Sequence, residues 1–331
     1  MISGLHTVYE SGSKSGSRTL CCGPTTIMKL NTLSAILTCA PLLLVHGSSR
    51  STLLASPYNN SNSGRRIING QQAEPKSFPF FVKLYADGIL CGGSIISNYW
   101  IVTASHCIFR ARYEAIDIYP SDWQPGQPTQ IHAAESVIHP QYDPRRHAFD
   151  VALIRTEEDM VVSGLETISL PPPGTRFIYG DEATIVGWGK MEFDTCPLTL
   201  LSGLEVVLPW DTCNSRYKPG WTRYGGNTNC SMENIPNRIL CAYPRGSAPD
   251  SGCGGDSGGP FIINGTLAGI NTAVIYTSRP VSREGCIPGS LTMHTSIVDY
   301  LPWIFSFVDP SVNTTEFPVA PESSNTLLVE G

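Results

Sequence analysis

Residues 255–260 read Gly255-Asp256-Ser257-Gly258-Gly259-Pro260. A serine set between glycines can stand on a tight turn with its hydroxyl presented outward, and glycine lets backbone N–H groups approach a substrate carbonyl closely. The amides of Gly255 and Ser257 are the candidate donors to an oxyanion there. A glycine-rich turn by itself is more often only a turn, so the reading depends on what else the chain supplies.

Two other stretches supply it. Val102-Thr103-Ala104-Ser105-His106-Cys107 puts a histidine directly after a strand-like run and beside a cysteine able to lock its backbone. Ala148-Phe149-Asp150-Val151-Ala152-Leu153-Ile154 embeds a carboxylate in an apolar run, where an unpaired charge is costly. Asp150 therefore needs a partner. An imidazole N–H is a suitable one, and the pairing would fix the tautomer whose other nitrogen accepts a proton from the Ser257 hydroxyl.

Composition agrees with this setting. The 331 residues include 31 Gly and 26 Pro but only 15% charged residues, a mixture suited to short strands joined by many turns. An all-β plan is expected. The net charge is −6, and residues 1–66 hold six Lys/Arg against the single acid Glu10, so the remainder is strongly acidic. Such a surface repels polyanions, which argues against nucleic acid and against an anionic membrane as partners. Eleven cysteines without a zinc-type CxxC pairing point to an oxidising compartment. Sequons at Asn59, Asn229, Asn264 and Asn313 fit a secreted glycoprotein.

Along the chain, Met28–Gly47 has a lysine near its start, an apolar stretch from Leu33 to Val45 and small residues at Gly47 and Ser48, the outline of a signal peptide. Residues 1–27 make a poor leader for it, and translation is expected to start at Met28. Residues 48–66 are Ser/Asn-rich, end in Arg65-Arg66 and read as an exposed propeptide. Residues 67–308 form the folded domain. Strand-like runs lie at 80–85, 94–103, 183–186, 204–208, 261–263 and 267–275. Helical spacing is confined to Ser296–Val308, with Ile297, Tyr300, Leu301, Ile304 and Phe305 on one face. Residues 309–331 are expected to be a disordered tail.

Taken together these segments resemble the trypsin/chymotrypsin family over about residues 67–308, in the order His, Asp, Ser. The matching runs include Ile67-Ile68-Asn69-Gly70, Cys91-Gly92-Gly93-Ser94, His139-Pro140-Gln141-Tyr142, Gly187-Trp188-Gly189 and Tyr300-Leu301-Pro302-Trp303-Ile304. The resemblance implies two six-stranded antiparallel β-barrels packed face to face, a C-terminal helix, and a catalytic triad of His106, Asp150 and Ser257. It implies a secreted serine endopeptidase made as a zymogen. Cleavage after Arg66, by an Arg-specific protease or a dibasic convertase, would free the Ile67 amino group to pair with Asp256. It also implies disulfides Cys91–Cys107, Cys213–Cys241 and Cys253–Cys286, leaving Cys196 and Cys230, whose pairing together is the economical guess. Polypeptide substrates, an activating protease and protein protease inhibitors are the partners to expect.

The substrate pocket departs from the family pattern. Counting back from Cys253 places Ser251 at its base, while Asp250 is one residue away and could enter through a small bulge. The wall strand continues through Thr272 to Val274, where the family usually has glycine, and Val274 would narrow the entrance. Gly289 on the opposite wall would leave the depth open. An apolar side chain at the cleavage site is favoured over a basic one. No metal-ligand constellation or phosphate-binding loop is evident, so no cofactor and no metal is expected. A calcium loop at Ala111–Asp122, with Glu114, Asp117 and Asp122, has unconvincing spacing.

Overall fold

In a computed structural model, the described residues are 71–74, 76–123, 131–144, 147–188, 200–216, 238–245, 252, 255–275 and 290–317. Asp87 and Gly88 adopt φ of 50° and 77°, as do Asn264 and Gly265 at 49° and 74°. Paired left-handed residues are what a two-residue hairpin of the type I′ kind requires. The first pair turns β2 (Phe81–Ala86) into β3 (Ile89–Ser97), and the second turns β11 (Pro260–Ile263) into β12 (Thr266–Ile275).

With β4 (Trp100–Thr103), β5 (Ile116–Pro120), β6 (Ile131–Ile138) and β7 (Ala152–Thr156), strands β2 and β3 close a barrel in the order β2-β3-β4-β7-β6-β5. Val82, Leu84, Ile101, Ile118 and Leu153 fill it at 0% exposure. The second barrel runs β9 (Leu201–Leu208), β10 (Ile239–Pro244), β13 (Leu291–Ser296), β12, β11 and β8 (Glu182–Gly187), closed by pairing of β8 with β9. The two-residue β1 (Gln71–Gln72) adds to β9 outside that ring. Two closed six-stranded antiparallel barrels are thus present, and closure leaves no long open edge on either.

Three short α-helices accompany them among the described residues. α1 (Ser105–Ile108) is a single turn, and α2 (Trp210–Arg216) follows Pro209 with Asp211 in its first turn. Neither is long enough to write a 3.6-residue period into the sequence, so both escaped the reading that confined helix to the C-terminus. α3 (Leu301–Val308) starts later than Ser296, because Thr295 and Ser296 are still paired to Ile270 and Gly269 in the β13–β12 ladder. A 3₁₀ turn at Val298–Tyr300 leads into it, and Pro302 sits in the first turn where its missing N–H costs nothing. Ile297, Leu301 and Ile304 are fully buried and belong to the core of the first barrel, so the chain's end straps back across the molecule. Order continues past Asp309: a further 3₁₀ turn covers Thr314–Glu316, and Phe317 meets Phe305 edge-on at 5.8 Å between ring centroids.

Candidate active site

The segments carrying His106, Asp150 and Ser257 come together where the barrels meet. β4 ends at Thr103, and α1 begins at Ser105 with His106 in its only turn. The disulfide Cys91–Cys107 ties that turn to β3, with Cα atoms 6.1 Å apart. Ser105 Oγ donates to the carbonyl of Val151 at 2.7 Å, stitching the histidine turn to the residue after Asp150.

Asp150 is completely buried. Its Oδ1 accepts the backbone N–H of His106 at 2.8 Å and its Oδ2 lies 2.6 Å from His106 Nδ1. Burial pushes this carboxyl up, but the charge and hydrogen bond of His106, helped by His147, outweigh burial and hold it well below the usual carboxylate range. The pairing leaves His106 Nε2 as the nitrogen able to take a proton from elsewhere. Behind the pair, Phe149 holds φ of 54°, a strained value for a bulky residue. Its ring stacks on His139 at 5.2 Å and meets Tyr300 edge-on, which anchors the backbone immediately before Asp150.

Ser257 lies in the loop before β11. Its carbonyl accepts from Gly92 N–H at 2.7 Å, and the carbonyl of Gly92 accepts from Thr103 Oγ1 at 2.8 Å. Gly258 has φ of 77°, and a Cβ there would run into Thr103 Oγ1, the Gly92 carbonyl and the Ala104 backbone. Only glycine permits so close an approach of the serine loop to the turn that carries His106. Gly255, with φ of 105°, is the second position of this loop that demands glycine. Asp256 is buried, and its carboxylate occupies the space that a side chain at Gly187 would fill.

Further side chains surround Asp150; Thr295 had no signal in the sequence, whereas Thr272 was expected on the pocket wall. Thr295 Oγ1 donates to the backbone carbonyl of Asp150 at 3.2 Å, a bond from the second barrel to the first. Thr272 Oγ1 lies 2.8 Å from Thr295 Oγ1, so this threonine faces the joint below Asp150. His147, with φ of 51°, places Nδ1 3.5 Å from Asp150 Oδ2 and its ring edge-on to His106 at 5.2 Å. A histidine three residues before a buried aspartate was the one clue available for it.

Val274 is half-buried, and across the β12–β13 ladder it faces Thr292. A Cβ on Gly252, the residue after Ser251, would touch Thr292 Cγ2 at 3.5 Å. Val274 and Gly252 thus share Thr292 as a neighbour, a residue that the sequence reading did not single out. Asp250, Ser251, Gly289, Arg66 and Ile67 lie outside the described residues, as do Cys253 with Cys286 and Cys196 with Cys230. The expected bridge Cys213–Cys241 is present and fastens α2 to β10.

Metal ligation finds little purchase among the described residues. Cys91 and Cys107 stand near His106 but are joined in a disulfide, and His106 with Asp150 form the hydrogen-bonded pair above. His132, Glu157 and Glu158 are exposed, and His132 Nδ1 pairs with Glu158 Oε1 at 2.6 Å. In the segment considered for calcium, Glu114 pairs with Arg112 at 3.1 Å.

A family model described as Trypsin matches residues 67–304. The chain is 30% identical over 261 residues to human Serine protease 1, covering 76% of this chain and 92% of that protein. It is 28% identical over 258 residues to rat Trypsin V-A, covering 76% and 93%. It is 30% identical over 257 residues to Kallikrein-15 of Saguinus oedipus, covering 74% and 92%.

Proposed function

We propose that this chain, which belongs to the trypsin family and is a serine-type endopeptidase, is secreted as a zymogen and is switched on by cleavage after Arg66. Ser257 is the nucleophile, His106 the base and Asp150 the group that orients the base. The observation that carries this assignment is the two-point hold of Asp150 on His106, combined with the glycine-only contact that brings the Ser257 loop onto the same turn.

In the proposed cycle His106 Nε2 accepts the Ser257 proton as Oγ bonds to the substrate's carbonyl carbon. The amides of Gly255 and Ser257 receive the oxyanion. His106 then gives the proton to the leaving amine, the C–N bond breaks and an acyl-enzyme remains. Water attacks that ester, His106 taking its proton and returning one to Ser257.

For activation, the support is the buried Asp256 carboxylate lodged against Gly187. A buried carboxylate gains from a cationic partner, and the Ile67 amino group freed by cleavage is that partner. For specificity, the facing pair Val274 and Thr292 supports a pocket narrowed at its entrance, suited to a small or medium apolar side chain. For secretion, the support is the Met28–Gly47 segment, the disulfides, and two sequon asparagines, Asn264 and Asn313, that are exposed. Among the described residues no helix is long and apolar enough to cross a membrane.

The test is to express the precursor, cleave it after Arg66 and add an active-site serine phosphonate. Wild type should label and Ser257→Ala should not, and equal labelling of the two would refute the nucleophile. Profiling the cleaved enzyme on a peptide library should give small apolar residues at P1, with strict Arg/Lys cleavage overturning that preference.

A further inference from the structure

Within the second barrel a chain of buried polar side chains ends on the serine loop. Asn271, on β12, grips the residues on both sides of Ser257. Its N–H donates to the Gly259 carbonyl at 2.9 Å, its carbonyl accepts from Gly258 N–H at 2.8 Å, and its Nδ2 donates to the Asp256 carbonyl at 3.2 Å. The backbone contacts need no particular side chain, but the third requires the amide to present nitrogen to Asp256 and oxygen the other way. That oxygen lies 2.7 Å from His294 Nδ1. An amide oxygen only accepts, so His294 must carry a proton on Nδ1, and its Nε2 contact with Glu205 needs a second proton shared between that nitrogen and the carboxyl group.

His294 is held in turn. Its ring stacks on Phe261 at 3.8 Å between centroids, and Nε2 lies 3.0 Å from Glu205 Oε2 and 3.0 Å from Thr292 Oγ1. Thr292 Oγ1 donates to Glu205 Oε2 at 2.7 Å. His294 and Glu205 are 1% and 0% exposed, and Glu205 Oε1 has no hydrogen-bond partner among the described residues. Such a group costs stability relative to an apolar residue of similar size, so packing alone does not account for it.

We propose that Asn271 is a positioning residue for Ser257, and that His294, braced by Glu205, sets the direction of its amide and so keeps the serine loop in register with His106. The proposal rests on Ser257 being the nucleophile, and it concerns how that loop is held rather than which residue attacks.

Two variants of His294 separate the two nitrogens. Asparagine reproduces a donor near Nδ1 and loses Glu205, whereas glutamine reaches the Nε2 position and loses Asn271. In the activated enzyme His294→Asn should keep kcat within about 3-fold of wild type. His294→Gln should lower kcat on the order of 10-fold to 100-fold with KM nearly unchanged, the scale expected of a misplaced reacting group. Asn271→Asp, which turns an oxygen toward the Asp256 carbonyl, should behave like His294→Gln. Phosphonate labelling rates should follow kcat, while thermal midpoints fall for both His294 variants. Equal rate losses in His294→Asn and His294→Gln, or rates that track thermal midpoint across all three, would overturn the proposal. Amide hydrogen exchange at Ser257, Gly258 and Gly259 should quicken in His294→Gln and Asn271→Asp but not in His294→Asn, and uniform exchange would also overturn it. Exchange needs no activity, so it decides this inference even where wild type fails to label and the assignment of Ser257 falls.

Discussion

Asp150 offers both carboxylate oxygens to one residue: Oδ1 takes the backbone N–H of His106 at 2.8 Å, and Oδ2 lies 2.6 Å from its Nδ1. The carboxylate thereby fixes where the imidazole is and which way it faces. Asp150→Asn keeps the shape but can present an N–H to Nδ1, which would favour the wrong tautomer. In the family's serine-histidine-aspartate template that change costs about 10⁴-fold in kcat, and a loss of that order is expected here with the fold intact by circular dichroism. A variant within 10-fold of wild type would contradict the role given to Asp150.

Gly258 and Gly265 make a matched pair for testing the serine loop. Both have left-handed φ, 77° and 74°, but a Cβ at Gly265 meets nothing within 4 Å, whereas at Gly258 it meets Thr103 and Gly92. Gly265→Ala should cost about 1 kcal/mol of backbone strain and leave phosphonate labelling unchanged. Gly258→Ala carries the same strain plus the clash, and it should abolish labelling and lower the thermal midpoint further. Equal effects would mean the close approach is dispensable.

His139 carries a pH signature. Burial, with a smaller contribution from the Arg238 charge, lowers its pKa from 6.5 to about 4. The folded protein therefore prefers the neutral ring, while the unfolded chain protonates near 6.5. The resulting stabilisation is complete above about pH 6.5 and is lost as pH falls from there toward 4. His139→Phe retains an aromatic ring against Phe149 and removes the titration. Urea unfolding at pH 7.5, 5.5 and 4.5 should show a shallower decline for the variant, and parallel declines would count against this assignment.

The proposed pocket shape can be tested by two small changes. Val274→Gly removes the side chain proposed to narrow the entrance, and Thr292→Ser removes the methyl facing Gly252 while keeping the hydroxyl for Glu205. The double variant should raise kcat/KM for phenylalanine over alanine at P1 by about 10-fold or more, the scale of a few methylene groups in an apolar pocket. No change in that ratio on matched peptide substrates would show that these residues do not line the P1 site.

Much of this was legible in the chain. The two tight hairpins follow from Asp87-Gly88 and Asn264-Gly265, because few other residues accept paired left-handed backbone. β9 alternates buried and partly exposed positions along its length, the pattern that strand reading depends on. β13 did not announce itself. Its sequence, Leu-Thr-Met-His-Thr-Ser, is two-thirds polar yet buried throughout, since Thr292, His294 and Thr295 are satisfied by Glu205, Asn271 and Thr272 on other strands. A hydropathy pattern cannot distinguish such a strand from a polar loop.

The sequence by itself determined the family, the order of His106, Asp150 and Ser257, and the glycines of the serine loop. Each of these depends on residue type at short range: what a neighbour can pair with, or what a φ value tolerates. Only the tertiary structure decided that Thr292 faces Val274, that Thr295 reaches Asp150 from the opposite barrel, and that Asn271, His294 and Glu205 form one chain behind Ser257. Those relationships are set by strand register and barrel closure, which bring residues far apart in the chain within a single hydrogen bond of one another.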